Sequence, residues 1–257
     1  MPFPMESLEQ MQGFFWILVR VSVILFLLPL FGAKGVPALW KAGVSLMIAI
    51  ILTPVVPLPR ALPETPYGMI MGIASEVLMG LLLSFGVMML FAAVQMAGQF
   101  MAFQMGFAMA AAMDPVTGAQ STVLSQFLYL FAVLIFFSID GHHYFIQALA
   151  SSFQIVPPNS FTLNPALSQI LVRASGQMFL VALKIAAPIM VALFLSNLCL
   201  GIVARTVPQM NILMIGFPVN LFIGLIFFAL ILANVSPYLA SLFKNAAEVF
   251  MGMLRLM

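Results

Sequence analysis

Between Glu76 and Arg173 the chain carries only two charged side chains, Asp114 and Asp140, and each stands beside a residue that interrupts helices, Pro115 and Gly141. A stretch that long with so little charge cannot present a water-facing surface, because soluble domains are roughly 25% charged. The full 257 residues continue the pattern, with 64% hydrophobic and 6% charged residues and a mean hydropathy of +1.18. The solvent such a chain requires is a bilayer or a coat of equally apolar partner subunits. Membrane lipid is therefore the first expected partner.

Several function classes fall away on composition. Nine basic and seven acidic residues leave a net charge of +2, without the clustered Lys and Arg that phosphate neutralisation needs, so no nucleic-acid binding is expected. One cysteine, Cys199, lies inside an apolar run, which rules out an internal disulfide or a multi-cysteine metal centre. No polar stretch is long enough for a second, water-exposed domain, and residues 1–257 read as a single domain. Glu6 and Glu9 stand where a cleavable signal carries positive charge, so the first apolar run reads as retained. Ser7 and Gln10 have the spacing of a capping box that would start its helix.

Apolar runs at 14–31, 42–56, 68–94, 122–139, 178–203 and 212–233 predict an all-α, membrane-associated bundle of about six hydrophobic helices. Arg20, Glu76 and Lys184 fall inside these runs, and Pro188 and Pro218 are expected to break or kink the helices that hold them. The prolines at 54, 57, 59, 63 and 66 mark an extended connector, and Pro157–Pro165 a second break. From Ser236 onward, Leu239, Leu242, Phe243, Ala246, Phe250 and Leu254 form one stripe, the pattern of a C-terminal amphipathic helix on a membrane surface or a partner. Basic residues fall on both sides of any simple topology, so the positive-inside rule does not orient the chain.

Chemistry-bearing clusters are few. Asp140, Gly141, His142 and His143 form the one group resembling a metal or acid–base site. Adjacent helical residues point about 100° apart, which argues against a shared ion and for a capped helix start or subunit contact. No nucleophile-elbow, zinc-protease or phosphate-loop pattern occurs; neither cofactor, metal nor enzymatic role is expected. Glu76 would cost roughly 2.5–3.5 kcal/mol near the centre of a membrane helix, so it needs either a basic partner or a place in a proton or ion pathway. Gly68 and Gly72, then Gly80 and Ser84, repeat small residues every four positions, allowing close approach by a helix of this chain or of another subunit.

The segment Gln95–Ser121 combines Met101, Met105, Met109 and Met113 with Gly98, Gly106, Gln95, Gln99 and Gln104, and ends in the turn residues Asp114, Pro115 and Gly118. A methionine every fourth residue makes a slowly turning helical stripe, which serves either as core or as a deformable seal. The polar, bendable strip around it must face protein or an aqueous lumen.

Two segments then carry a likeness: MGFAMAAAMDPVTGAQS at 105–121 and GIVARTVPQMNILMIGFPVN at 201–220. Together with DGHH and the order of the apolar runs, they resemble the FliR/SctT family of type III export-gate proteins along essentially the whole chain, and the second segment looks more flagellar than injectisome-like. The resemblance implies a non-enzymatic subunit of the flagellar export gate in the bacterial inner membrane, at the flagellar basal body. Such subunits build a helical channel with FliP-like and FliQ-like partners, largely raised toward the periplasm, with an FlhB-like protein attached and unfolded flagellar subunits in transit. It also implies a channel plug at Met105, Gly106, Phe107, Met109, Met113, Asp114, Pro115, Gly118 and Gln120. Expected subunit contacts are Gly72, Glu76, Gly80, Asp140, His142, His143, Arg205, Pro208, Gln209, Asn211, Pro218 and Asn220. Three alternatives stay open: an SctT-type injectisome subunit, a secondary transporter with a mid-membrane site near Glu76 and Lys184, and an intramembrane enzyme using Asp114, Asp140 and the histidine pair.

Overall fold

The computed structural model describes residues 8–28, 37–56, 65–107, 122–158, 160, 165–207, 209 and 211–254, apart from the side chains of 8, 9, 166, 212, 213 and 247–253. Among these residues there are seven α-helices and no strand: α1 (Leu8–Leu27), α2 (Ala38–Leu52), α3 (Pro66–Gln104), α4 (Val123–Ser138), α5 (Gly141–Ile155), α6 (Pro165–Thr206) and α7 (Ile212–Leu254). The all-α membrane bundle read from the sequence is therefore what the chain forms. Four helices are long and apolar enough to cross a membrane, at Gln10–Leu27, Pro66–Gln104, Leu167–Thr206 and Met214–Ala246, and α4 with α5 supplies a fifth if the pair forms one span.

Helix continuity differs from the sequence reading. Helices α3, α6 and α7 run for 39, 42 and 43 residues. At 1.5 Å per residue each is about 58–65 Å long, roughly twice a hydrocarbon core of about 30 Å. Pro188 lies inside α6, and Pro218 and Pro237 lie inside α7, without ending either helix. Apolar surroundings leave a freed carbonyl no better option than the helix, so proline is tolerated here as in other membrane helices. The expected separate amphipathic tail is likewise the last part of α7. Its stripe is real, but Leu239, Phe243 and Leu254 are buried within the chain itself.

The interruption falls instead between α4 and α5, where Asp140 adopts a left-handed conformation, with φ at 56°. The Ser7 cap, the proline connector at 57–64 and most of Pro157–Pro165 lie outside the described residues.

The chain forms two compact units, each assembled from separate stretches of sequence: one from 1–89, 140–174 and 243–257, the other from 90–139 and 175–242. In the first, Ile17, Val21 and Ile24 of α1 pack with Leu52 of α2, Met79 and Leu83 of α3, and Leu149 and Phe153 of α5. The 3–4-residue spacing of the α1 positions is the signature of one helix face. In the second unit, Val181, Ala182, Ile185, Ala186, Ile189 and Leu193 bury one face of α6, while Val191, Phe194, Leu195, Leu198 and Ile202 stay exposed on the other. An outward face of that composition belongs against lipid or protein rather than water. The inner face of this unit also holds ring contacts of Phe91 with Tyr129 and Phe136, both at 5.8 Å between centroids.

Candidate functional site

The first unit is pinned by one buried ion pair. Arg20 of α1 and Glu76 of α3 are both 0% exposed, and the guanidinium grips the carboxylate through two bonds, Nε to Oε2 at 2.5 Å and Nη2 to Oε1 at 3.1 Å. Its remaining nitrogen, Nη1, donates to Ser152 Oγ at 3.3 Å and to the Val156 carbonyl at 3.1 Å, and Phe153 stacks beneath it at 4.3 Å from ring centroid to Cζ. The group thus ties α1, α3 and the end of α5 together, and an ion pair taken out of water is tolerated only with such complete pairing. Glu76 has the basic partner that its depth demands, and that partner lies in its own chain.

Gly72 and Gly80 are both buried in this unit. A Cβ placed on Gly80 would sit 2.7 Å from Val23 Cγ1 and 2.8 Å from Val23 Cβ. At Gly80 the small-residue face is therefore filled by α1 of the same chain, and this glycine is what lets that helix in.

In the second unit, the approach to the 105–120 strip is built from close contacts. A side chain on Gly98 would collide with the Ser125 backbone, so Gly98 seats α4 against α3 and is not the hinge its place in a Gly-containing strip suggests. Thr122 caps α4, its Oγ1 accepting from Ser125 N at 3.3 Å. Gln95, Gln99 and Gln104 all lie on helical backbone of α3.

Met101 and Met105 are fully buried. Met105 lies on Gly224 of α7, where an added Cβ would meet its Cγ at 2.5 Å and its Sδ at 2.8 Å. Gly106 then turns the chain off α3 with φ at 88°, against the ring of Phe217, a conformation that a residue with a side chain enters only under strain. Phe107 follows, half-buried. Met109, Met113, Asp114, Pro115, Gly118 and Gln120 lie outside the described residues, as does Pro208.

A second polar feature joins α6 to α7. Ser196 Oγ donates to Asn220 Oδ1 at 2.8 Å, and Asn220 Nδ2 donates to Asn197 Oδ1 at 2.7 Å. Asn197 is exposed, on a helix whose neighbouring outward residues are apolar. Asn211 has a local duty: its Oδ1 accepts from Met214 N at 3.4 Å at the start of α7, the ordinary work of an N-cap. Gln209 and Pro218 are exposed. Arg205, in the last turn of α6, is exposed too. Among the described residues it makes no ion pair or side-chain hydrogen bond within the chain, and it faces outward.

Asp140, His142 and His143 stand together at the start of α5. Asp140 occupies the cap position but makes no side-chain cap hydrogen bond, so the expected capping role does not hold. Its left-handed backbone turns the carboxylate toward His143, with Oδ1 3.7 Å from Nδ1. The two imidazoles do not diverge: their centroids are 4.2 Å apart, because χ rotation brings together rings whose Cα–Cβ bonds point apart.

Sequence reasoning placed Arg20 in an apolar run without joining it to Glu76, although two opposite charges stranded in apolar helices were a usable signal. It missed Gly224, Ser196 and Asn197. Gly224 carries no local mark, since its importance lies wholly in what rests on it.

The sequence has known relatives. The model of the bacterial export proteins, family 1, matches residues 11–246. The chain is 33% identical over 247 residues to the flagellar biosynthetic protein FliR of Bacillus subtilis, covering 95% of each chain. It is 32% identical to that of Pectobacterium carotovorum, over 97% of this chain and 95% of the relative, and 30% identical to that of Escherichia coli K12, over 93% and 92%. A match of that extent, on an all-α scaffold with several apolar helices of spanning length, places the protein in a membrane and makes it a component of flagellar export: the chain belongs to the bacterial export proteins, family 1.

Proposed function

We propose that this chain is a non-enzymatic subunit of the flagellar type III export gate. It forms, with FliP-like and FliQ-like subunits, the channel through which unfolded flagellar subunits leave the cell, and an FlhB-like protein attaches to the assembly. The observation that carries the reading is the family match over residues 11–246, joined to the way α3 ends. Met105 rests on Gly224 and Gly106 turns the backbone away at a φ of 88°, so the strip to Gln120 starts from a fixed anchor through a residue suited to a hinge. In this reading residues 105–120 plug the resting channel, and methionine, which packs without a fixed shape, makes a seal that can move aside.

The surface is consistent with life inside an assembly at the inner membrane and flagellar basal body. Helices about 58–65 Å long exceed a hydrocarbon core of about 30 Å, so much of the chain stands beyond it, on the periplasmic side in this reading. The exposed Asn197 amide and the outward Arg205 are groups that lipid cannot satisfy, and we assign them, with Gln209 and Asn220, to contacts with other gate subunits. The transporter alternative loses its site, because Glu76 is closed by Arg20 with both side chains fully buried. The flagellar FliR relatives favour flagellar over injectisome export.

The test is a short deletion within Gly106–Met113. An assembled complex that now leaks ions or small solutes across the membrane is expected. An assembled complex that stays tight would remove the plug from this segment.

A further inference from the structure

Both histidines of the chain are adjacent, and with Asp140 they offer three ligand atoms that all lie within 4.8 Å of one another. We propose that Asp140, His142 and His143 bind a divalent transition-metal ion of the zinc class, with water completing the coordination. This goes beyond the export role and does not depend on it.

The donor set is the one such ions favour. Imidazole suits zinc, copper and nickel, whereas magnesium and calcium select oxygen donors. Tetrahedral zinc at bond lengths of 2.0–2.2 Å needs ligand atoms about 3.4 Å apart, so no pair in the cluster has to close by more than about 1.4 Å. The side chains can do so, because His143 and Asp140 are 67% and 69% exposed and their rotamers are not locked by packing. The same exposure gives the ion an entry path and room for water ligands.

Asp140 is turned toward the histidines rather than toward the backbone of its own helix. It forgoes the cap hydrogen bond its position invites and holds a left-handed backbone that presents its carboxylate to an imidazole. That carboxylate also offsets the positive end of α5, about half a charge, which would otherwise repel a cation. The opposing field keeps the affinity modest, and makes the site one for an ion with strong imidazole preference.

The experiment uses the full chain in detergent, purified on a tag free of histidine and stripped with a chelator. Zn²⁺ is titrated calorimetrically, with Mg²⁺ as the comparison ion. Saturable binding of a single Zn²⁺ per chain is expected, with no heat from Mg²⁺. His142→Ala, His143→Ala and Asp140→Asn should each weaken it at least about tenfold while leaving the gel-filtration profile unchanged. Three results would each overturn the site: no saturable Zn²⁺ binding, binding unchanged in the His142→Ala/His143→Ala double variant, or binding indifferent to Asp140→Asn.

Discussion

Removing one partner of the Arg20–Glu76 pair should harm the protein far more than removing both. Glu76→Leu leaves a guanidinium at 0% exposure with only Ser152 Oγ, the Val156 carbonyl and the Phe153 ring for company. An uncompensated charge in that position costs about 3–5 kcal/mol. Arg20→Leu takes the guanidinium from a fully buried carboxylate and deprives the Val156 carbonyl of a donor, a loss of similar size. The double variant Arg20→Leu/Glu76→Leu buries no charge; its main remaining defect is the unpaired carbonyl, worth about 1–3 kcal/mol. Ser152 Oγ keeps its bond to the Leu149 carbonyl at 2.7 Å, so this hydroxyl is not orphaned. The singles therefore sum to about 6–10 kcal/mol against about 1–3 for the double, a coupling of at least about 3 kcal/mol in a double-mutant cycle. The assay is recovery of monodisperse chain from solubilised membranes, read with the thermal midpoint in detergent. A double variant recovered no better than the worse single, or a Glu76→Leu chain as stable as the parent, would refute the reasoning.

Two glycines on α3 give opposite outcomes from the same substitution. Gly80→Ala should destabilise by about 1–3 kcal/mol, since its Cβ meets Val23 at 2.7 Å, whereas Gly86→Ala has nothing within 4 Å and should be neutral or stabilising; thermal midpoints of the two purified variants decide it. Gly224→Ala puts a methyl 2.5 Å from Met105 Cγ; the long side chain yields, so the complex should still assemble but leak small solutes, and membrane conductance beside complex recovery checks this.

The parts of the fold that follow from local pattern were legible in the sequence, and those that depend on distant neighbours were not. Low charge and run lengths fixed the class, because a bilayer admits few architectures. The prolines misled in part: Pro188 and Pro218 read as breaks or kinks by rules drawn from water, where a helix can be abandoned at small cost, yet both lie inside continuous helices. The stripe of Leu239, Phe243 and Leu254 was correctly periodic, but periodicity does not say whether the covering surface is lipid, a partner or the chain itself.

At the candidate sites the same division holds. Gly106 was recognisable as part of a bendable strip but not as the place where α3 ends, and the seat of Met105 on Gly224 joins residues more than a hundred positions apart. The histidine pair was dismissed on backbone geometry, because side-chain rotation cannot be seen in a sequence.

The measurement closest to the central claim is secretion of hook and filament subunits by the native host with the gene for this chain deleted in frame. Those subunits should be made and retained in the cytoplasm, with no filament formed, and the intact gene supplied in trans should restore them to the medium. Normal amounts of secreted subunits from the deletion strain would contradict the assignment of this chain to the export channel.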